Sequence, residues 1–266
     1  MFFKQNLDKP LYKLYNADMK NSRLTFNSST NFTLPIGVYC TLQADAAYHG
    51  FEKNGKPNIN GFLNNLIPAL SDYQENLFKE LLKYNNGDAE IAKACARSIY
   101  NVYLSPFSFC DDGVVNVPFR ISKARYDDFM TIHDDRLVFY DTDFTGYVRT
   151  LLSEYASKSF SQREYLYAYR MIVPLREAME KGNVCRFYMN DRNVVFVPAF
   201  IEPSPVLPHN YIVGIDKNEE PQVIRLSEVQ KITVLEDKIK ATDKMCDLIY
   251  DRLEAIYEEE YRECLE

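Results

Sequence analysis

Two segments of the chain, residues 32–36 and 117–121, alternate apolar and other side chains with a period of two, which is typical of short half-buried strands. A helix-like stretch, a loop and an amphipathic stripe follow each segment. Corresponding residues of the two sets are separated by the same number of positions as Phe32 and Val117. The stripes have the spacing of one helix face and comprise Ile59, Phe62, Leu63, Leu66, Ile67 and Leu70 in the first copy and Phe144, Tyr147, Val148, Leu151, Leu152 and Tyr155 in the second. Gly61 and Gly146 also correspond. The pattern predicts an internal repeat with copies at about 30–72 and 115–158.

The first helix of each copy matches less well. In the second copy an apolar stripe is formed by Tyr126, Phe129, Met130 and His133, whereas in the first copy Asp45 falls where Met130 would be. Pro68 is expected to kink the second helix of the first copy. Because amphipathic helices resemble one another by construction, an accidental repeat is the alternative to a true one.

Helix boundaries are indicated between and after the copies. Asp88 is a candidate cap for a helix from Ala89 to about Tyr103, and a turn at residues 111–113 ends that connection. Residues 161–164 read Ser-Gln-Arg-Glu, a capping box that predicts a connecting helix over 161–181. Pro174 is expected to kink this helix and Gly182 to end it.

Short β-like runs separated by Asn, Asp, Pro and Gly turns come next, at residues 184–189, 194–200, 210–216, 222–226 and 231–235. Five short strands in so few residues predict a small barrel over 182–240. Residues 241–266 predict a C-terminal helix whose apolar side carries Met245, Ile249, Leu253 and Ile256. The fold class is therefore α+β, with residues 1–160 forming the region of the two copies.

Composition and charge narrow the class of protein. Hydrophobic residues make up 46% of the chain, which is typical of a globular protein, and no apolar run approaches the roughly 20 residues that span a bilayer. We expect no secretory signal, reduced cysteines and a cytoplasmic location. The net charge is −7, but residues 242–266 carry nine acids and three bases, so the rest of the chain is near neutral. A local basic face is compatible with this balance, although the balance does not argue for one.

The strand, helix, loop, helix order of each copy resembles the ribbon-helix-helix family, whose paired strands lie in the DNA major groove. Two copies in one chain would form the ribbon intramolecularly. Period two then directs Phe32, Leu34, Ile36, Val117, Phe119 and Ile121 inward and Asn31, Thr33, Pro35, Pro118, Arg120 and Ser122 outward. The resemblance implies that Asn31, Thr33, Arg120 and Ser122 contact nucleic acid. It also implies a phosphate contact where the second helix of each copy begins, at Asn60 and Thr145. The alternative is a ribbon that builds the core and reads nothing.

The predicted barrel, over about residues 182–237, resembles a WYL domain, an Sm-like β-barrel that senses ligands in bacterial regulators. Tyr188, Pro198, Tyr211 and Arg225 match the family pattern, whereas Asn210 replaces the signature Trp and Glu228 replaces the second Arg. The resemblance implies a ligand face at Tyr188, Tyr211 and Arg225, to which Arg186 and Lys231 are added as neighbours. Rings stack on bases and guanidinium groups pair with phosphate. Core packing is the alternative role for the tyrosines.

The order of these regions resembles the accessory proteins encoded beside type VI-D CRISPR effectors, which bind RNA and enhance the RNA-guided RNase. This implies a single-stranded RNA or DNA partner and an effector nuclease. The alternatives are a WYL-type DNA-binding transcriptional regulator and a protein-assembly module. A homodimer is expected through Met245, Ile249, Leu253 and Ile256, or else this stripe packs on its own barrel. In the dimer case Leu253→Asp should leave a folded monomer.

Catalytic chemistry is not indicated. The three histidines are far apart, no His-Glu-x-x-His or Cys-x-x-Cys pattern occurs, and no Gly-rich phosphate loop or nucleophile elbow is present. We therefore expect a non-enzymatic protein with no metal site, no cofactor and no membrane partner.

Overall fold

A computed structural model describes residues 29–104, 113–239 and 243–265. The turn predicted at residues 111–113 lies largely outside these ranges. Strand β1 (Ser29–Pro35) pairs antiparallel with β4 (Val114–Arg120), from Ser29 opposite Arg120 to Pro35 opposite Val114. The two predicted strands thus form one intramolecular ribbon, although they are far apart in the sequence.

The faces of the ribbon follow the alternation with two corrections. Phe32, Leu34, Val117, Phe119 and Ile121 are buried, as predicted. Pro35, predicted to point outward, is buried, and Ile36, predicted to point inward, is 39% exposed. The alternation ends there because helix α1 (Ile36–Tyr48) begins at Ile36, with Pro35 as its N-cap residue, so the period of two no longer applies.

Helices surround the ribbon. They are α2 (Ile59–Tyr84), α3 (Ala89–Leu104), α4 (Tyr126–Thr131), α5 (Leu137–Tyr140) and α6 (Phe144–Ala156), with a 3₁₀ turn at Lys123–Arg125, a π turn at Ile132–Arg136 and a two-residue hairpin of β2 (Glu52–Lys53) and β3 (Lys56–Pro57). Helix α2 continues through Pro68 for another four turns, well beyond the end of the predicted stripe. Both predicted stripes, on α2 and α6, face one apolar core with the inner face of the ribbon.

The starts of α2 and α6 are built alike. Asn58 and Asp143 are the N-caps, and each side chain accepts a hydrogen bond from the backbone N–H of a glycine, Gly61 at 3.0 Å and Gly146 at 2.6 Å. A Cβ on Gly61 would lie 2.6 Å from Asn58 Nδ2, and one on Gly146 would lie 2.8 Å from Thr142 Oγ1. The space that a larger residue would need is therefore occupied, by the capping Asn58 at Gly61 and by Thr142, the residue before the cap, at Gly146.

Asp45, the residue that breaks the repeat, forms a buried ion pair. Its carboxylate accepts hydrogen bonds from Arg163 Nε at 2.7 Å, Arg163 Nη2 at 3.1 Å and the Tyr155 hydroxyl at 2.8 Å. Bidentate pairing satisfies a charge that burial would otherwise penalise. The contact joins α1 and α6 to the helix that contains Arg163.

The connecting segment is two helices, not one. Helix α7 (Phe160–Tyr167) ends at Ala168, and α8 (Tyr169–Lys181) follows and contains Pro174. The capping box is formed by Ser159 and Gln162, two residues before the predicted start, because it is the Ser159 hydroxyl that accepts the N3 backbone N–H. Gly182 ends α8 with φ of 67°, the left-handed conformation expected of a helix stop.

The five predicted strands are present as β5 (Asn183–Tyr188), β6 (Asn193–Pro203), β7 (Asn210–Ile215), β8 (Pro221–Arg225) and β9 (Lys231–Lys238). They form an open antiparallel sheet in the order β8-β7-β6-β5-β9, so the predicted closed barrel is wrong. A 3₁₀ turn, Leu226–Glu228, carries the chain from one edge strand to the other, and β8 and β9 do not pair. Closure would require that pairing.

Helices cover the sheet on both faces. The face toward α8 buries Cys185, Phe187, Phe196, Ile212 and Ile224. On the opposite face, here called the outer face, Tyr211 and Val213 pack against α9 (Asp243–Glu263). Among the described helices, none is both long and apolar enough to cross a bilayer.

Candidate nucleic-acid interface

Three of the predicted ligand residues lie together on the outer face. Arg186 and Tyr188 alternate with the inward Cys185 and Phe187 along β5, and Lys231 on β9 lies directly opposite Tyr188. The Lys231 ammonium lies 5.6 Å from the centre of the Tyr188 ring. Arg186 and Lys231 are exposed and Tyr188 is partly exposed. We call these three residues the β5–β9 patch.

The patch is electrostatically positive. The Thr233 hydroxyl and the Arg186 guanidinium beside the Tyr188 hydroxyl lower its pKa, and the charges of Arg186 and Lys231 add to this effect. Within the described residues neither cation forms an ion pair. A ring flanked by two cations can stack on a base while the cations contact phosphates.

The other two predicted ligand residues lie on the same face but at the opposite end of the sheet. Tyr211 on β7 is opposite Arg225 on β8, and Tyr211 is only 4% exposed because α9 covers it. Along β6, the position opposite Tyr188 is Asn193 and the position opposite Tyr211 is Glu202. At about 3.3 Å per residue the two ends are at most roughly 30 Å apart along β6. The predicted ligand face is thus divided into an open half and a covered half.

A carboxylate from α9 occupies the covered half. Glu260, which is 3% exposed, accepts hydrogen bonds from Ser204 Oγ at 2.6 Å, from His209 Nε2 at 2.8 Å and from the Tyr211 hydroxyl. Burial raises the pKa of Glu260, but these three donors outweigh burial and hold the pKa below its usual range. The Glu260 carboxylate is therefore a buried anion whose charge is stabilised by three hydrogen-bond donors of the protein.

Sequence reasoning missed Glu260. Ile249, Leu253 and Ile256 predict an apolar stripe, and Glu260 follows Ile249 by eleven residues, which places it on the same helix face. An acid on the apolar face of a helix was the available signal for a buried contact.

Asn210, which replaces the signature Trp, is a hydrogen-bonding hub. Its backbone N–H and its Nδ2 both donate to Glu164 Oε2 at 2.6 Å, and Nδ2 also donates to the Ser161 carbonyl at 2.8 Å. Tyr48 at the end of α1 donates to Glu164 Oε1 at 3.0 Å. Glu164 thereby links the ribbon region, α7 and the sheet. No periodic pattern marked this acid, because its partners come from distant segments.

Three of the predicted reading residues, Asn31, Thr33 and Arg120, lie on the outward side of the paired strands, whereas Ser122 follows the end of β4. Asn31 and Arg120 are exposed, Thr33 and Ser122 are partly exposed, and Thr33 donates to Asn116 Oδ1 on the neighbouring strand at 2.9 Å. The surface carries few charges. It can form hydrogen bonds to bases, but it offers phosphate only Arg120 within the paired strands.

Of the two predicted phosphate positions, Asn60 makes an internal contact. Asn60 Oδ1 accepts the backbone N–H of Arg120 at 2.7 Å, which ties α2 to β4. Thr145 is partly exposed in the first turn of α6. The Gly61 and Gly146 N–H groups already donate hydrogen bonds to the side chains of Asn58 and Asp143. At the start of each helix, the oxygen of the capping side chain therefore lies where a phosphate oxygen would bind.

The predicted dimer stripe packs within the chain. Ile249 and Leu253 are buried against Tyr211 and Val213, and Ile256 is partly buried beside them. The Met245 side chain lies outside the described part. The arrangement matches the alternative in which the stripe covers its own sheet.

A polar cavity of about 690 Å³ separates the ribbon region from the sheet. His49 and Tyr167 line it with parallel rings whose centres are 3.9 Å apart. Arg125 and Arg170 also line it, but both are paired with Asp128, and Arg170 is paired with Asp72 as well. The described residues include no group of three or more His, Cys, Asp or Glu side chains arranged to hold a metal.

The comparisons with known proteins show a fold and no family. A crystal structure of a CRISPR Cas-related protein is similar to this chain with a TM-score of 0.57 over 85% of this chain and 67% of that chain, at 15% sequence identity. At this identity the likeness shows a shared fold alone. Neither a protein-family model nor a curated protein matches the chain.

Proposed function

We propose that the chain is a non-enzymatic accessory protein of an RNA-guided CRISPR RNase and that it binds single-stranded RNA through the β5–β9 patch. The observation that carries the proposal is the partly exposed Tyr188 ring beside the exposed Arg186 and Lys231 on the outer face of the sheet. Stacking on an aromatic ring tolerates any base, and the two cations follow a phosphate backbone.

Three further observations support the proposal. The fold is similar to that of a CRISPR Cas-related protein. Two of the four WYL-like positions coincide with strand ends, since β5 ends at Tyr188 and β8 ends at Arg225, whereas Pro198 lies within β6. The ribbon-helix-helix-like strands form a single ribbon. Enhancement of an effector nuclease is proposed from the resemblance of the whole chain.

The test is a titration of labelled 20-nucleotide RNA at 50 and 200 mM salt. Each phosphate contact contributes about −0.7 to the log–log salt slope, so the Arg186→Ala/Lys231→Ala variant should bind more weakly with a slope shallower by roughly 1.4. Tyr188→Ala should weaken binding roughly five- to hundredfold, whereas Tyr188→Phe should retain it. The matched control is Lys53→Ala/Lys217→Ala, which removes two exposed cations elsewhere.

Equal losses in the control and in the patch variant would contradict the assignment of the site. Addition of the wild-type protein to an effector RNase reaction should raise the cleavage rate, and the patch variant should not.

Duplex DNA is the second candidate partner, because the intramolecular ribbon presents Asn31, Thr33 and Arg120 on one surface. The same titration with duplex DNA separates the two. Tighter binding of duplex that is sensitive to Arg120→Ala and insensitive to the patch variant would favour a transcriptional regulator. A chain that binds neither at 50 mM salt would be an assembly module.

A further inference from the structure

The last turns of α9 are attached to the sheet by one polar contact. Ile249 and Leu253 anchor the first half of the helix by apolar packing, but after Tyr257 only Glu260 is buried among the described residues. Glu258, Glu259 and residues 261–265 are all exposed. The hydrogen bonds to the Glu260 carboxylate therefore attach these turns to the sheet.

The surroundings of that carboxylate form an anion site. Ser204, His209 and Tyr211 each aim a donor at it, and the exposed Arg225 lies opposite Tyr211 on the neighbouring strand. The Tyr211 hydroxyl and the Arg225 guanidinium are close enough for the charge of Arg225 to affect Tyr211. Three donors and a guanidinium would suit a phosphate oxygen as well as they suit a carboxylate.

We propose that the terminal turns of α9 are a displaceable cover and that Glu260 holds a phosphate subsite of the RNA face closed. A phosphate of the bound strand replaces the Glu260 carboxylate on Ser204, His209 and Tyr211, and the turns after Tyr257 leave the sheet. The proposal rests on the RNA-binding function proposed above. It extends the RNA path from the β5–β9 patch to the far end of the outer face.

Two substitutions separate this contact from general charge effects. Glu260→Gln and Glu259→Gln remove the same charge from adjacent positions of one helix, but only Glu260 is buried and bonded. A 20-nucleotide strand, at 3.4 Å per stacked nucleotide, is long enough to reach both ends of the face. Both variants and the wild type are titrated with this RNA at 50 and 200 mM salt.

Glu260→Gln should tighten RNA binding about tenfold, because the competing charge-assisted contact is lost. The affinity should change without a change of salt slope, because the same phosphate enters the opened site in both proteins. Arg225→Ala should abolish this gain. Glu259→Gln should change the RNA affinity much less. Equal effects of Glu259→Gln and Glu260→Gln would overturn the proposal.

Hydrogen exchange on the wild type provides a readout that does not depend on how the variants fold. RNA should accelerate amide exchange in residues 258–265 and leave residues 249–256 protected. Unchanged or slower exchange in 258–265 would overturn the proposal. If the wild type binds RNA through the β5–β9 patch without this release, the cover fails and the proposed function stands. If no form binds RNA, both fail.

Discussion

His49 makes the stability of the fold depend on pH in a way that can be worked out from its surroundings. The imidazole lies against the Tyr167 ring at 3.9 Å and the Phe62 ring at 5.9 Å. Burial lowers the pKa of His49 to about 4, and the nearby Asp45 carboxylate offsets this only in part. The unfolded chain, with an imidazole pKa of about 6.5, binds the proton more readily.

Stability is therefore lost as pH falls through the window between about 6.5 and 4, where the unfolded state carries more protons than the folded one. From pH 7.5 to pH 5.0 the loss from this one group should be about 2 kcal/mol. Glu164 and Glu154 act in the opposite direction, since burial raises the pKa of each and their protonation favours the folded state at low pH. Comparison with a variant cancels these contributions.

The assay is urea denaturation of the wild type and of His49→Phe at pH 7.5 and pH 5.0. Phenylalanine keeps a flat ring against Tyr167 and Phe62 and removes the titrating group. The wild type should lose about 2 kcal/mol more than His49→Phe between the two pH values. His49→Gln tests the same difference without an aromatic ring. If all three proteins lose the same free energy, the reasoning about His49 is refuted.

Three further predictions concern stability, each measured by urea denaturation. Glu164→Ala should lower the free energy of unfolding by about 3 kcal/mol, because the buried Asn210 N–H groups lose their acceptor. The control Glu177→Ala, in an exposed pair with Lys181, should change it by less than about 0.5 kcal/mol, and equal effects would contradict the role of Glu164. Gly61→Ala should destabilise the protein by about 1 kcal/mol, because its Cβ displaces the Asn58 cap. Gly37→Ala, in the open first turn of α1, should instead stabilise it by about 0.5 kcal/mol, and effects of the same sign at both sites would count against this account. Leu253→Asp was expected from the sequence to give a folded monomer, but it should destabilise the protein by more than about 3 kcal/mol, because Leu253 is buried and only 2% exposed. Leu265→Asp, at an exposed site, should be nearly neutral.

The sequence predicted local elements well because their causes are local. All five strands of the sheet begin and end within about three residues of the predicted β-like runs, and the helix from Ala89 is capped by Asp88 as expected. Both amphipathic stripes face the core. Burial of alternate or helically spaced side chains leaves a pattern that needs no knowledge of distant partners.

Long-range contacts were not predictable from such patterns. Two acids, Asp45 and Glu260, occupy apolar faces, and each is satisfied by donors from a segment more than 45 residues away. Periodicity shows that such an acid is out of place, but it does not identify the partner. Closure of the sheet failed for a related reason, since five strands fit an open sheet as well as a barrel until the pairing of the edges is known.

The chain order of the ribbon affects synthesis on the ribosome. Strand β1 leaves the exit tunnel long before its partner β4, because α1, α2 and α3 are translated between them. At 5–20 residues per second, roughly 4–17 s pass before Val117 can reach Phe32. During that interval the nascent chain carries an unpaired strand edge with Phe32 and Leu34 unburied. On a polysome, two neighbouring nascent chains could exchange these strands and emerge as a swapped pair, a hazard that the sheet of β5 to β8 avoids because its strands pair with their immediate successors.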